Sequence, residues 1–266
     1  MSVQSGVKIA ISGKGGVGKT TLSAILCHLY AGEGKKVLAV DADPDANLGM
    51  ALGFTPQELE QVTTIAQDRK LIKERTSAEP GTSGQWFCLN PKVDDIPERY
   101  VVQKGGVKLL QLGVTSTGGS GCYCPENTFV KTLLNHLVLE EDDTVIVDME
   151  AGLEHMSRGT ARGVDAFIVV VEPGQRSFQT AKATVKLARD LGVERVFAVA
   201  NKVRPDQEES VRQALDFLPL LGILPYDLEA VTADLTGRPL FEVSPSMVAW
   251  VQDIKDNLEQ YLLNKI

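Results

Sequence analysis

One octapeptide near the start constrains this chain more than any other feature: Gly13-Lys14-Gly15-Gly16-Val17-Gly18-Lys19-Thr20. Its glycines free successive backbone N–H groups to curl around an anion, and a helix opening just after them adds partial positive charge. The flanking residues supply that context. Gly6 to Ser12 is a β-branched run (Val7, Ile9, Ile11) that predicts a strand. Lys19 to Gly34 carries Leu22, Ile25, Leu26 and Leu29 at helical spacing, and Lys36 to Asp41 is a second apolar run. Strand, glycine turn, helix and strand make a βαβ unit, so the sheet starts parallel.

The octapeptide fits the P-loop pattern in full. Lys19 is expected to contact β- and γ-phosphates and the Thr20 hydroxyl to ligate Mg²⁺. Val145-Ile146-Val147-Asp148 reads as an apolar strand ending in a second metal-holding carboxylate, the Walker B arrangement. Asp41, Asp43 and Asp45 close the second strand, where doubly wound sheets bind ligands. Asp43 is chosen to orient the attacking water and to join the Mg²⁺ shell; turn and cap aspartates are the plainer alternative. Asn201-Lys202 follows another strand and is similar to a base-reading pair.

The rest of the chain alternates. Further strands are predicted at Gln85–Asn90, Val107–Leu112, Asp143–Asp148, Ala166–Val171, Arg195–Ala200 and Leu220–Leu224. Helices are predicted at Glu126–Leu137, Gln175–Leu191, Gln207–Leu215 and Met247–Leu263. Thr55 to Arg75 reads as one polar helix, and Ser77 to Gly84 and Gly113 to Gly121 as loops. The apolar strands suit a sheet covered on both faces. The expectation is a single domain over 1–266, a doubly wound, mostly parallel α/β sheet of about seven or eight strands flanked by helices. The stretch 55–106 is the least regular part. Aromatics are only 6%, which argues against an all-β sandwich.

Charge and leader composition narrow the setting. Acids outnumber bases 35 to 27, a net charge of −8, the wrong sign for a nucleic-acid or anionic-lipid binder. Met1 to Lys8 has no signal-peptide core and no run is long enough to span a bilayer, so a cytoplasmic location is expected. The C-terminal segment Met247 to Ile266 is amphipathic but not basic, which reads as a helix packed on the sheet rather than a membrane anchor.

A lysine directly after the first glycine makes the loop resemble the deviant Walker A of the nitrogenase iron protein, the Min-system and chromosome-partitioning ATPases and the arsenical-pump ATPase. That resemblance implies an ATP-dependent homodimer in which Lys14 reaches the partner's nucleotide. It assigns Gly13 to Thr20, with Thr21, to nucleotide binding, and Asp41-Ala42-Asp43-Pro44 to switch I. Asp148 opens switch II. Lys14 and Lys19 then stabilise transition-state charge.

A second constellation narrows the resemblance. Gly118 to Asn127 sets Cys122 and Cys124 in a glycine-rich loop at about 118–125, and Asp148-Met149-Glu150-Ala151-Gly152-Leu153-Glu154-His155 follows. With Asn201 to Arg204, these resemble the nickel-insertion ATPases that mature carbon monoxide dehydrogenase, the CooC type. Their relative serving acetyl-CoA synthase is an alternative, as are iron–sulfur carriers and positioning ATPases. The resemblance implies apo carbon monoxide dehydrogenase as client and Ni²⁺ as cargo, with Zn²⁺ possible at the same thiols. Two adjacent thiolates underfill a four-coordinate metal, so the implied dimer would supply Cys122 and Cys124 twice over. Two ordinary loop cysteines remain the alternative. Cys27, next to His28, and Cys88, in its predicted strand, are expected to be core packing. His155 could make a transient metal contact, though a helix-end histidine is the commoner reading.

Overall fold

The computed structural model describes residues 6–80, 86–113, 125–139, 143–151, 156 and 158–264. In chain order, β1 (Lys8–Gly13), α1 (Lys19–Gly32) and β2 (Val37–Ala42) are followed by α2 (Leu48–Ala51), α3 (Pro56–Leu59), α4 (Arg69–Thr76) and α5 (Ile96–Tyr100). Next come β3 (Val102–Lys104), β4 (Val107–Gln111), α6 (Pro125–Leu139), β5 (Thr144–Met149), α7 (Arg158–Gly163), β6 (Ala166–Val171), α8 (Gln175–Leu191) and β7 (Val196–Val203). The chain continues through α9 (Glu208–Ala214), β8 (Leu220–Pro225), α10 (Leu228–Thr236), α11 (Leu240–Val243) and α12 (Pro245–Leu263).

The strands form one eight-stranded sheet in the order β3-β4-β2-β5-β1-β6-β7-β8. All neighbours are parallel except the β3–β4 hairpin at one edge. The doubly wound expectation is met. Strand alternation sorts the side chains into two cores. Ile9 and Ile11, Val37 and Ala39, Ile146, Ile168 and Phe197 pack toward α1, α11 and α12. Ala10, Leu38 and Val40, Val145 and Val147, Val169 and Ala198 pack toward α4, α6 and α8. The same alternation turns Asp41, Asp148 and Asn201, at the carboxyl ends of β2, β5 and β7, toward α1. The C-terminal helix packs on β8 as expected, with Ile254 lying where a side chain at Gly222 would stand.

Three expectations fail. Gln85 lies outside the described residues, and 86–90 is irregular rather than a strand. Trp86 is 97% exposed and Leu89 68%, so this apolar run finds no partner strand. Cys88 is exposed, not core; its backbone N–H donates to the Thr76 carbonyl at the end of α4. The strand that does fill this edge is β3, whose Gly105-Gly106 turn to β4, with both φ positive, is a hairpin signal in the sequence.

The single polar helix over Thr55–Arg75 is instead α3, a 3₁₀ turn at Ile65–Gln67, and α4. Local capping explains the breaks. Thr55 and Glu58 form a reciprocal capping box, and Asp68 caps α4 by accepting from the Leu71 N–H. The helix α10 also lay unpredicted between Asp227, which caps its start, and Gly237, left-handed at its end.

Candidate nucleotide site

The glycine loop joins the end of β1 to α1 at the carboxyl edge of the sheet. Val17 is fully buried and pins the loop to the core, while Lys14, Gly15 and Gly16 stay exposed. Gly18 is left-handed at φ 97°, and a side chain there would stand 2.2 Å from the Asn201 Nδ2. Among the described residues no side chain caps the first turn of α1, so its amides can serve an external anion.

Lys19 is 6% exposed and pairs with the Asp43 carboxylate at 3.3 Å. Thr20 donates its hydroxyl proton to the Asp148 Oδ2 at 2.6 Å. The other Asp148 oxygen, Oδ1, is buried with no hydrogen-bond partner. Asp41 is register partner of Asp148 across β2 and β5. It accepts from the backbone N–H groups of Asp43 (3.3 Å) and Leu48 (3.0 Å), which shapes the loop that presents Asp43. Burial, reinforced by the Asp148 charge, pushes the Asp41 carboxyl up to about 8. Burial also raises Asp148, to about 6, against the opposing pull of the Thr20 hydrogen bond and the Lys19 charge.

Thr20 and Asp148 are hard oxygen donors of the kind Mg²⁺ takes alongside waters and phosphates. The orphaned Asp148 Oδ1 is the acceptor that a metal-bound water would satisfy. The residues present therefore fit this ion.

Asn201 and Lys202 reach the loop from β7. The Asn201 amide donates to the Val17 carbonyl at 2.8 Å, and the Lys202 ammonium to the Gly16 carbonyl at 2.6 Å. Lys202 itself is left-handed at φ 59°, with Glu172 3.8 Å from its ammonium. In this structure both heads brace the loop from below, a contact the reading as a base-recognising pair did not anticipate.

A cavity of about 630 Å³ opens over these groups. Gly15, Gly16, Gly18, Lys19, Thr20, Thr21, Asp43, Asn201 and Lys202 line one part, and Tyr226, Asp227 and Arg238 another. Its size lies in the range of small-molecule pockets. Lys14 projects nearby, and among the described residues no hydrogen bond or ion pair holds its ammonium.

Cys122, Cys124 and His155 lie outside the described residues, as does the 118–125 loop before Pro125. Cys27 is buried as expected, its thiol pushed up by burial and then by the Asp148 charge. His28 stacks on Phe241 at 4.3 Å. Among the described residues no helix is long and apolar enough to cross a membrane.

Residues 8–240 match the family described as the CobQ/CobB/MinD/ParA nucleotide binding domain. The carbon monoxide dehydrogenase accessory protein CooC of Rhodospirillum rubrum is 44% identical over 90% of this chain and 91% of its own. An uncharacterized ATP-binding protein of Methanocaldococcus jannaschii is 41% identical over 88% and 91%. In fold alone, the chain is similar to the Aquifex aeolicus cell division protein MinD, with TM-score 0.64, 22% identity and coverage of 98% and 99%. A ParA family ATPase from Chlorobium tepidum gives TM-score 0.66 at 18% identity, covering 96% and 98%. With a braced glycine loop, a buried loop lysine and a family match over most of its length, the chain belongs to the CobQ/CobB/MinD/ParA nucleotide-binding family, and it is an ATPase.

Proposed function

We propose that this chain is an accessory ATPase of carbon monoxide dehydrogenase, an ATP-driven metallochaperone that delivers nickel to the client's active site. The observation that carries the reading is the 44% identity, over 90% of the chain, to a carbon monoxide dehydrogenase accessory protein. The chain works as one ATPase domain and pairs with a second copy when ATP binds. Cys122 and Cys124 of both copies then hold one Ni²⁺, which is cargo; Zn²⁺ competes for the same thiolates.

The described residues supply the nucleotide half of the cycle. The loop from Gly13 to Thr21 takes the phosphates. Before nucleotide arrives, Lys19 is neutralised by Asp43. Incoming phosphate oxygens compete for Lys19, and Asp43 is released to orient water. Asn201 and Lys202 keep the loop open in the binding shape and flank the base. Thr20 and Asp148, with Asp43 near them, would hold Mg²⁺, which supplies charge neutralisation on the β- and γ-phosphates. Lys14 is poised to cross to the partner's nucleotide, so closure and hydrolysis become linked through differential binding to two states.

The test is metal content and mass measured together. Protein purified anaerobically under reducing conditions is loaded with Ni²⁺ in ADP or a non-hydrolysable ATP analogue, beside the Cys122→Ser/Cys124→Ser variant. One nickel per dimer, lost in the variant and altered by nucleotide, is the expected result. A nucleotide-dependent dimer with no thiol-dependent nickel would sink the metallochaperone reading.

A further inference from the structure

We propose that Glu150 is a second catalytic carboxylate, accepting a hydrogen bond from the water that attacks the γ-phosphate. The inference rests on the chain being an ATPase and not on its metal cargo. Side chains alternate along β5. Val145, Val147 and Met149 enter the core beneath α6 and α8, whereas Ile146 faces α1 and Asp148 meets Thr20 on α1. Glu150 is the next position of that second set, so it points to the nucleotide face, roughly 6–7 Å further along the strand direction than Asp148. That direction leads out of the carboxyl edge, where substrates of such sheets lie.

Three observations place Glu150 with the reaction. It lines the same cavity as Lys19, Thr20 and Asp43. Its carbonyl accepts from the hydroxyl of Ser12 at 2.9 Å, and Ser12 is fully buried at the foot of the glycine loop. The residue is therefore tied to the loop that carries the phosphates. Unlike Asp41 and Asp148, Glu150 is exposed.

Charge decides what such a group can touch. A carboxylate set against a γ-phosphate oxygen is repelled, so it is stable there only with a donor between the two. A water molecule is such a donor. Asp43 approaches from the loop after β2 and Glu150 from the end of β5, so the two acceptors fix the water from two sides. In the step, the water oxygen bonds to the γ-phosphorus as the bond to the bridging oxygen breaks. That electron pair leaves with ADP, and the displaced water proton ends on the inorganic phosphate. Nothing is oxidised or reduced.

The experiment compares full-length wild type with Glu150→Ala, Glu150→Asp, Asp43→Asn and the Glu150→Ala/Asp43→Asn double variant, reading single-turnover ATP hydrolysis and ADP affinity. Glu150→Ala is expected to slow hydrolysis at least ~10-fold while ADP affinity stays within about twofold, because orientation acts on the chemical step. Glu150→Asp should recover part of the rate. The double variant should lose far less than the product of the single losses, since both groups act on one water. Hydrolysis within about twofold of wild type in Glu150→Ala, affinity falling in step with rate, or fully additive losses would each overturn the proposal. If wild type hydrolyses ATP yet holds no nickel, the metallochaperone reading fails while this one stands.

Discussion

Asp41 and Asp148 sit side by side on β2 and β5, 1% and 0% exposed, both turned toward α1. Two carboxylates this close and this dry cannot both ionise cheaply, so the pair keeps a proton that the unfolded chain would release. Both are raised, to about 8 and about 6. Between the unfolded carboxylate range and those values the native state binds more protons than the unfolded state. Stability must then fall as pH rises through that window, by up to about 1.4 kcal/mol per pH unit for one extra proton. Glu58, Asp68, Glu79 and Asp95 are lowered, so their contributions are complete above about pH 5. Urea midpoints of nucleotide-free protein should decline from pH 5 to 8, and Asp41→Asn should flatten the decline. A wild-type profile that is level or rising would refute the account of carboxyls held protonated by burial.

Gly18 is held by two independent constraints, its left-handed backbone and the Asn201 amide 2.2 Å from any added Cβ. The first costs a non-glycine residue about 1–2 kcal/mol. The second cannot be relieved by moving Asn201 without giving up its bond to the Val17 carbonyl. Gly18→Ala should weaken ATP binding at least ~10-fold by titration calorimetry, and adding Asn201→Ala should restore only the steric part. Wild-type affinity in Gly18→Ala would show that the loop tolerates a rebuilt turn.

Lys14 and Lys19 should separate by phenotype. Lys19 is buried against Asp43, so Lys19→Ala removes the proposed phosphate cation and leaves that carboxylate without its partner. ATP affinity should fall ~100-fold or more. Lys14 is exposed, and on the proposed ATP-dependent pairing its removal should leave monomer affinity nearly intact while abolishing the rise in mass that sedimentation with ATP is expected to show. Equal loss of nucleotide affinity in both variants would contradict a role for Lys14 in the partner's site.

The fold was legible wherever chain-local patterns decide it. All seven parallel strands and the helices α1, α6, α8, α9 and α12 follow from apolar runs and helical spacing, because both sheet faces are covered. Residues 86–90 misled because composition resembles a strand whether or not a neighbour is available to bond it. The candidate site was legible as a glycine loop with Asp43 and Asp148 beside it. Asp41's proton and the bracing by Asn201 and Lys202 were not, since they arise from strands remote in sequence brought side by side. Glu150 carried a usable signal, its two-residue offset from Asp148, which acquires meaning only once β5 is known to present Asp148 to Thr20.

Lys255 offers a test of how α12 is fastened to α1. Its ammonium lies 2.7 Å from Glu33, the residue closing α1, and 2.9 Å from Glu259, with the Tyr30 ring 4.7 Å away. The lysine is 2% exposed, whereas the two carboxylates are 43% and 42% exposed. Burial alone would lower its pKa, but the bonds to Glu33 and Glu259 outweigh that and raise it. Removing the charge leaves acids that can rehydrate, so the cost should stay below the ~3–5 kcal/mol of a fully buried broken pair. Lys255→Met keeps the apolar stem and should cost about 1 kcal/mol; Lys255→Ala also loses packing against Tyr30 and should cost about 2–3 kcal/mol. Urea unfolding at pH 7 separates the two. If Lys255→Met matched or exceeded wild type, the desolvation of the ammonium would cancel both ion pairs, and shape alone would hold α12 in place.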